Sequence, residues 1–509
     1  MSFLKKIFRK KDVSELIKAS EKIEASGGTL RRSLGPINLI SLGIGGIIGT
    51  GIFVITGNAA AHYAGPGLIL SFIFSGIGCA FAALCYAEFA ALIPIAGSAY
   101  SYAYATLGEI FAWIIGWDLV LEYLFAAATV AVGWSGYFTS LLSKTFGINL
   151  PASLTAATGT ELVYYQNSWL PLNSQLIASF NSQGIELDSL PQITAIINLP
   201  AVLIILLIST LLYVGIKESA RFNNLMVFVK VSIILLFVLI GWKFVNYNNL
   251  TPFIPENTGN FGEFGWSGVL RAAGVIFFAY IGFDSVSTLA QEAKNPQRDM
   301  PIGILGSLAI CTLLYIAVTF VLTGIVHYSE LGVAEPIAKA IDSLGGSLSW
   351  LSFLIKIGAI AGLSSVILVL ILGQTRVFYS MARDGLLPQV FSKISQRYGT
   401  PTLATVVTGT VAAILAGTLP IGILGELVSI GTLLAFVIVC FAILVLRKTQ
   451  PHLHRPFKTP LVPLVPILGI LISGAQMAAL PLDTWLRLAI WMAIGGVIYI
   501  FYGYKRADR

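Results

Sequence analysis

The chain has 509 residues, of which 56% are hydrophobic and 11% are charged, and its mean hydropathy is +0.84. This composition excludes a soluble domain and predicts an integral membrane protein of the all-α class, with room for about twelve spans of roughly 20 residues each. The net charge of +7 would suit a nucleic-acid partner, but its distribution along the chain argues against one.

Residues 1–36 form a basic tail. The tail opens with KKIFRKKD where a cleavable signal peptide would have an apolar core, so we expect the first span to insert uncleaved. Within the tail, SELIKASEKIE fits a short amphipathic helix on the membrane surface and equally a solvated segment.

Twelve apolar runs follow the tail. Each is long enough to cross a bilayer as a helix, and we predict spans at 37–61, 66–93, 109–141, 197–216, 223–247, 267–291, 302–325, 350–382, 402–420, 423–447, 461–481 and 485–505.

The positions of lysine and arginine orient these spans. Most of the 31 basic residues fall in the two terminal segments and the connections on their side, and the opposite connections hold only Lys144, Lys243, Lys339 and Arg487. Because cytoplasmic connections collect lysine and arginine, we expect a multi-pass protein of the cell membrane with both termini in the cytoplasm. Orientation then explains the net charge without a nucleic-acid partner.

Two outer connections are long. The first, residues 142–196, is polar, and its sequence indicates no role. The second, His327 to Gly346, has helical spacing and is either a lid over the outer mouth or an ordinary surface loop.

The first span contains the stretch LGIGGIIGTGIF, residues 42–53, in which five of twelve residues are glycine. Glycine weakens a helix by about 1 kcal/mol relative to alanine, so we expect a break whose freed backbone groups can hold a ligand's charges. Close helix packing through Gly45 and Gly49 is the alternative.

The sixth span contains Gly282 and Asp284 near its middle and runs opposite to the first. Each of these two spans opens a set of five, and an odd number inverts the second set relative to the first. We therefore predict a ten-helix transport core at 37–447, with inverted repeats at about 37–247 and 267–447 and peripheral helices in 448–509. Interrupted segments at matching positions of inverted halves indicate a binding site near the middle of the membrane, which favours the broken first span.

Five motifs occur in order along the chain: LGIGGIIGTGIF, YAEFAALIPIAGSAYSYAYATLGE, WDLVLEY, FFAYIGFDSVSTLAQEAKNPQRDMPIGI and RVFYSMARDGLLP. In these motifs the chain resembles the amino acid–polyamine–organocation transporters and, within them, the cationic amino acid transporter family, which has bacterial members. The resemblance covers about residues 30–505, and the long connection at 142–196 departs from the compact bacterial pattern. It implies a secondary transporter that imports an L-amino acid by alternating access.

A charged residue at the centre of a span costs about 2.5 to 3.5 kcal/mol to insert into the membrane, so we expect each one to have a partner or a function. The candidates are Asp118, Glu122, Lys230 and Asp284. Asp118 and Glu122 are four residues apart and share one helix face; buried carboxylates there suit either proton exchange or structural pairing. Lys230 lies roughly 10 Å beyond the predicted start of span five, too deep to reach the interface easily.

The resemblance implies a substrate site at the two breaks. Backbone amides near Gly49, Thr50 and Gly51 would hold the substrate carboxylate, because the N-terminus of a half-helix supplies free donors and partial positive charge. Freed carbonyls near Ile47, Phe278 and Ile281 would face the substrate ammonium. Phe278 would also cover the site as a gate, although simple packing is the commoner role of an aromatic residue in a bundle.

The resemblance also bears on coupling and specificity. A lysine at the position of Lys230 occupies the place where sodium-coupled relatives bind an ion, which implies proton-coupled or uncoupled transport. Glu122 and Asp284 would lie near the substrate, where they permit a cationic side chain without requiring one, because two acids can also satisfy each other. Cationic and broad or neutral specificity both stay open.

The predicted partners are an L-amino acid, a proton and the lipid bilayer, and the oligomeric state stays open. The four cysteines lie in apolar runs and the four histidines at span ends or in a loop, so we predict no cofactor and no metal site. An exchanger or a polyamine carrier is the nearest alternative. A sensor that does not transport, a membrane enzyme and a channel fit less well, because no signalling domain, catalytic set or filter motif is recognisable.

Overall fold

The computed structural model describes residues 8–11, 32–165, 168–172, 177, 180, 185–333, 335–478, 480 and 482–506. The segment of the tail that fits an amphipathic helix lies outside these residues. Helices make up most of the described chain, and in order they are α1 (Pro36–Ile47), α2 (Thr56–Ala59), α3 (Leu68–Leu92), α4 (Ala99–Thr106), α5 (Glu109–Leu119), α6 (Ala126–Phe146), α7 (Leu199–Val214), α8 (Ile216–Gly241), α9 (Gly265–Ile276), α10 (Pro296–Ile325), α11 (Pro336–Asp342), α12 (Ser349–Arg383), α13 (Thr402–Thr418), α14 (Ile421–Thr449), α15 (Leu464–Ala478), α16 (Leu482–Ile498) and α17 (Tyr504–Arg506).

Eight helical segments of the described chain are long and apolar enough to cross a membrane. Four shorter helices, α1, α7, α13 and α15, are also apolar. Each predicted span overlaps one of these helices or segments. The chain is therefore a multi-pass helical membrane protein.

The start of span five differs most from the prediction. Helix α8 begins at Ile216, because polar residues with good helix propensity, such as Lys217 and Glu218, extend the helix beyond the apolar run. Lys230 therefore lies 14 residues beyond the helix start (216 to 230), about 21 Å along the axis. The helix thus begins before the apolar run at 223, and the depth of Lys230 in the membrane stays a prediction.

The first span is broken inside its glycine-rich stretch. Helix α1 ends at Ile47, and Ile48 has an extended backbone with ψ of 99°. The chain resumes as a π-helical turn over Gly51–Ile55, continues through α2, and ends in a second π-helical turn over Ala60–Ala64. A π-helical turn is a common sign of a functional position in a helix.

The sixth span is also broken. Helix α9 is followed by a 3₁₀ turn over Phe277–Tyr280, and the chain resumes as a 3₁₀ segment over Asp284–Glu292. Between them Gly282 has φ of 113°, a conformation that glycine adopts far more readily than other residues.

The two breaks touch through small residues. A Cβ atom added to Gly282 would lie 2.8 Å from the carbonyl oxygen of Gly46, and one added to Gly51 would overlap the Cβ of Ala279. Around the breaks, α10 packs against α3 and α1, while α12 packs against α6, α8 and α1. The glycines therefore serve both packing and interruption, which the sequence presented as alternatives.

The connection at 142–196 contains a small antiparallel sheet with strand order β2-β1-β3. Its strands are β1 (Glu161–Tyr165), β2 (Ser168–Pro171) and β3 (Gln192–Thr194). Buried Leu162 of β1 packs with Ala152 and Ala195 in a small apolar cluster. The all-α prediction thus fits the membrane helices but not this connection. We call the end of the molecule that carries the sheet the sheet end.

Residues 8–11 lie at the opposite end, which we call the tail end. The backbone N–H of Glu109 donates to the carbonyl of Arg9 at 3.0 Å, and the two side chains form an ion pair at 3.7 Å. Lys11 forms an ion pair with Asp384, just after α12. These four residues of the basic tail are therefore anchored to the start of α5 and the end of α12.

Candidate substrate site

A cavity lies between the two breaks. Its free volume is about 10 Å³, roughly the space that the centre of one water molecule needs, so the cavity is almost closed in this structure. The lining residues are Gly46, Ile47, Gly49, Thr50, Gly51, Ala126, Val130, Phe278, Ile281, Val366 and Leu370.

All six residues proposed from the sequence to contact a substrate line this one cavity: Ile47, Gly49, Thr50, Gly51, Phe278 and Ile281. Glu122, Asp284 and Lys230 lie outside the lining. Four further lining residues, Ala126, Val130, Val366 and Leu370, form a wall that we call the apolar face. Sequence inspection missed them because they are apolar residues of spans three and eight, with nothing to distinguish them from their apolar neighbours.

The lining residues between Gly46 and Gly51 belong to the first break, and we call them the backbone face. The first N–H groups of a helix have no partner within the helix, and they carry the positive end of its dipole. The Thr50 hydroxyl adds a polar group: it is buried and forms no hydrogen bond with the described residues. This face can bind an anion such as a carboxylate.

Glycine is required on the backbone face. A Cβ atom at Gly49 would lie 2.8 Å from a methyl carbon of Val366. At Gly51 the obstruction is the backbone and Cβ of Ala279, which cannot rotate away. A side chain at Gly51 would therefore push the two breaks apart.

Lys230 is fully buried and binds the first break. Its Nζ donates to the carbonyls of Gly45 at 3.0 Å and Ile48 at 2.9 Å, and to Ser365 Oγ at 2.8 Å. The three donors of an ammonium group match these three oxygens. Lys230 thus holds carbonyls that the broken helix cannot satisfy.

Tyr315 of α10 reaches both breaks. Its hydroxyl lies 2.9 Å from the carbonyl oxygen of Ile47 and 2.8 Å from that of Ala279. In the second break the Ser285 hydroxyl donates to the carbonyl of Gly282. Because buried carbonyls need a donor, these side chains stabilise the interrupted backbone.

The carboxylates of spans three and six lie beside the cavity. Asp284 accepts a hydrogen bond from the hydroxyl of Tyr123 at 2.5 Å, and Glu122 is close enough to interact with Asp284 electrostatically. Asp118 instead lies next to Gly431 of α14. A π-helical turn over Val120–Phe125 falls across Glu122. Both acids of span three still face α14, because Glu122 interacts with Asp118 and with Thr432, the residue after Gly431.

The tail end is closed by buried polar contacts. Arg376 of α12 forms an ion pair with Glu292 at 2.6 Å, and both side chains are at most 2% exposed. Nearby, the Ser380 hydroxyl donates to the carbonyl of Ala96. Both charges have lost their hydration on burial, so the loss of either side chain would leave an unpaired buried charge, which is strongly destabilising.

A second cluster at the tail end surrounds Glu88 of α3. Its carboxylate accepts hydrogen bonds from Arg447 at 2.8 and 3.0 Å and from the backbone N–H of Thr459 at 2.7 Å. It also pairs with Arg455 at 3.1 Å. Burial lowers the pKa of the Arg455 guanidinium from its usual value, and the negative charge of Glu88 opposes that shift.

The sheet end is closed differently. Helix α11 lies over α2, where a Cβ atom at Gly57 would overlap Pro336. Just before α11, Glu335 forms an ion pair with Lys356 of α12 at 3.7 Å. The segment His327 to Gly346 therefore contains a packed helix, as its spacing indicated.

These features define a class of protein: a multi-pass helical membrane protein with a small cavity at two interrupted helices. Residues 34–504 match the model of the amino acid permease family. The chain is 44% identical over 501 residues to the methylthioribose transporter of Bacillus subtilis (strain 168), and 44% identical over 502 residues to the branched-chain amino acid permease BcaP of the same organism. Each alignment covers 98% of both chains.

A plant relative is more distant. Vacuolar cationic amino acid transporter 4 of Arabidopsis thaliana is 36% identical over 430 residues, which are 83% of this chain and 64% of the relative. The chain belongs to the amino acid permease family, within the amino acid–polyamine–organocation superfamily. It is a transporter and not an enzyme.

Proposed function

We propose that the protein imports neutral, apolar L-amino acids, including branched-chain ones, across the cell membrane by alternating access. One observation carries this proposal: a single cavity joins the backbone face to the apolar face. The backbone face offers N–H donors and the Thr50 hydroxyl to groups that every amino acid shares, and the apolar face offers only hydrocarbon to the side chain.

The backbone face would bind the substrate carboxylate at the start of the second half of span one, near Gly49, Thr50 and Gly51. The ammonium would lie against freed carbonyls of Ile47 and of the second break, at Phe278 and Ile281. This arrangement matches the charges of an amino acid to the dipoles of two half-helices. Phe278 would close over the bound substrate as a gate.

The apolar face favours a neutral side chain over a cationic one. No carboxylate belongs to the cavity lining, and one oxygen of Asp284 accepts a hydrogen bond from Tyr123. A lysine or arginine side chain would lose its hydration against Val130, Val366 and Leu370 without gaining a partner, which is costly. The printed function of one 44% identical relative, transport of branched-chain amino acids, is consistent with this preference.

For the membrane arrangement we propose twelve crossings, with inverted repeats at about 37–247 and 267–447 and peripheral helices in 448–509. The opposed breaks in spans one and six support it, as does the concentration of lysine and arginine on one side. Both termini would lie in the cytoplasm, which makes the tail end the inner end and the sheet end the outer end.

For the energy source we propose coupling to protons without sodium. Lys230 supports this because its ammonium fills a position among two carbonyls and a hydroxyl that could otherwise hold a small cation. A buried lysine can also release and take up a proton. Glu122 is a second candidate for proton transfer, since it is fully buried beside the second carboxyl group, that of Asp284.

The decisive experiment is uptake of radiolabelled leucine by proteoliposomes that contain the purified protein. We expect uptake to be driven by an inward proton gradient, to be unchanged when potassium replaces sodium outside, and to be inhibited by isoleucine and valine more than by lysine. Strict dependence on sodium would overturn the proposed coupling. Stronger inhibition by lysine, or by methylthioribose, would overturn the proposed substrate class.

A further inference from the structure

The carbonyls of Ile47 and Ala279, one in each break, both lack a hydrogen-bond donor from a regular helix. Ile47 is the last residue of α1, and Ala279 lies in the last turn before the second break. Both residues are buried. Because the chain turns away after each of them, a regular helix cannot supply the donor that a buried carbonyl needs.

One side chain meets both carbonyls. The hydroxyl of Tyr315 lies 2.9 Å from one oxygen and 2.8 Å from the other. A hydroxyl has a single hydrogen to donate, so the two carbonyls share it and each keeps unused acceptor capacity. Two carbonyl oxygens directed at one point, each with a lone pair to spare, favour a positively charged donor nearby.

We propose that Tyr315 is a positioning residue for the substrate ammonium, acting by tying the carbonyl of Ile47, at the cavity, to that of Ala279 in the second break. The inference rests on the proposed function, because it requires an amino acid substrate. Tyr315 itself does not belong to the lining, whereas Ile47 does. Its hydroxyl therefore acts through the backbone, and the substrate ammonium uses the remaining lone pair of the Ile47 carbonyl.

The ring of Tyr315 has a separate role in packing. It lies 5.2 Å from the ring of Phe72 and 5.5 Å from that of Tyr280, measured between centroids. Tyr315→Phe keeps these contacts and removes only the hydroxyl. Tyr280→Phe is a matched control, because the Tyr280 hydroxyl donates at 2.8 Å to the carbonyl of Phe72, inside the intact helix α3.

The experiment measures binding to purified protein in lipid nanodiscs and uptake by proteoliposomes. For Tyr315→Phe we expect the Kd and KM for leucine, valine and alanine to rise by one common factor of about five to ten, which corresponds to the loss of about one hydrogen bond. We expect kcat to change less than about twofold. Tyr280→Phe should leave the Kd for leucine unchanged.

Two analogues of leucine test whether the loss of affinity arises at the substrate ammonium. Leucinol keeps the ammonium and lacks the carboxylate, so its affinity should fall by the same factor as that of leucine. The affinity of 4-methylpentanoate, which lacks the ammonium, should not change. An unchanged Kd for leucine, or an equal loss for leucine and 4-methylpentanoate, would overturn the inference. Failure of the unmodified protein to bind leucine would instead overturn the proposed function, and this inference with it.

Discussion

The two faces of the cavity are built from different parts of the chain. The backbone face presents peptide groups and the Thr50 hydroxyl, and it exists because span one is interrupted. The apolar face presents side chains of the continuous helices α6 and α12.

This difference separates affinity from selectivity. Peptide groups can recognise only what all amino acids share, whereas side chains set the size and polarity of what fits beside them. Changes to the backbone face should therefore affect all substrates equally, and changes to the apolar face should alter the ranking of substrates.

The largest expected effect is that of Gly51→Ala on the backbone face. The new Cβ would overlap Ala279 and move the two breaks apart, and a displacement of about 1 Å at such a site costs about a hundredfold in activity. Uptake of leucine, valine and alanine should fall together. Gly136→Ala on α6, where a Cβ meets nothing within 4 Å, is the control. Normal uptake by Gly51→Ala would show that the contact between the breaks is dispensable.

Lys230→Met should have the next largest effect. It removes the donor of the Ile48 carbonyl, whereas the Gly45 carbonyl keeps the hydroxyl of Ser365 at 3.1 Å, and an unsatisfied buried group costs about 1 to 3 kcal/mol. We expect uptake of all substrates to fall at least about tenfold, and the response to a proton gradient to disappear. The control, Lys243→Met, removes an exposed charge just beyond the end of the same helix. A proton-driven response that survives in Lys230→Met would assign coupling to another group.

Leu370→Ala tests the apolar face. Removal of this side chain deletes hydrocarbon contacts with a large substrate and leaves the backbone face intact, so the ratio of leucine to alanine affinity should fall about tenfold. Competition between the two amino acids in one uptake assay measures this ratio. Leu239→Ala, at an exposed position of α8, should leave the ratio unchanged. An equal loss for both amino acids would contradict the division between the two faces.

The smallest expected effect is that of Asp284→Asn on selectivity. Asp284 is held by Tyr123 and lies outside the cavity lining, so the ratio of leucine to lysine affinity should change by less than about twofold even if overall uptake falls. Inhibition of leucine uptake by lysine measures it. If neutralisation selectively weakened lysine by about tenfold, Asp284 would reach the substrate after all.

The two breaks illustrate what sequence can predict. Five glycines within twelve apolar residues are enough to suggest an interruption, because an intact helix with that composition is poorly stable. The isolated charge of Lys230 likewise pointed to a partner, and the structure supplies three oxygens from the first break and from α12.

Other features had no signal of that kind. Val366 and Leu370 resemble every other apolar residue of a membrane helix, and only the packing of α12 against α1 makes them part of a cavity. Tyr315 is an ordinary aromatic residue until the two breaks meet at its hydroxyl. In the sheet, β3 pairs with β1 from about 30 residues further along the chain, which local patterns do not reveal.

The cluster around Glu88 has a consequence for biosynthesis. The arginine that pairs with this carboxylate lies 359 residues later in the chain, and the backbone amide of Thr459 lies later still. At about 5 to 20 residues per second, the ribosome needs on the order of half a minute to make that length of chain. The carboxylate of α3 thus exists well before its partners, and the bundle can complete this contact only when synthesis has passed residue 459.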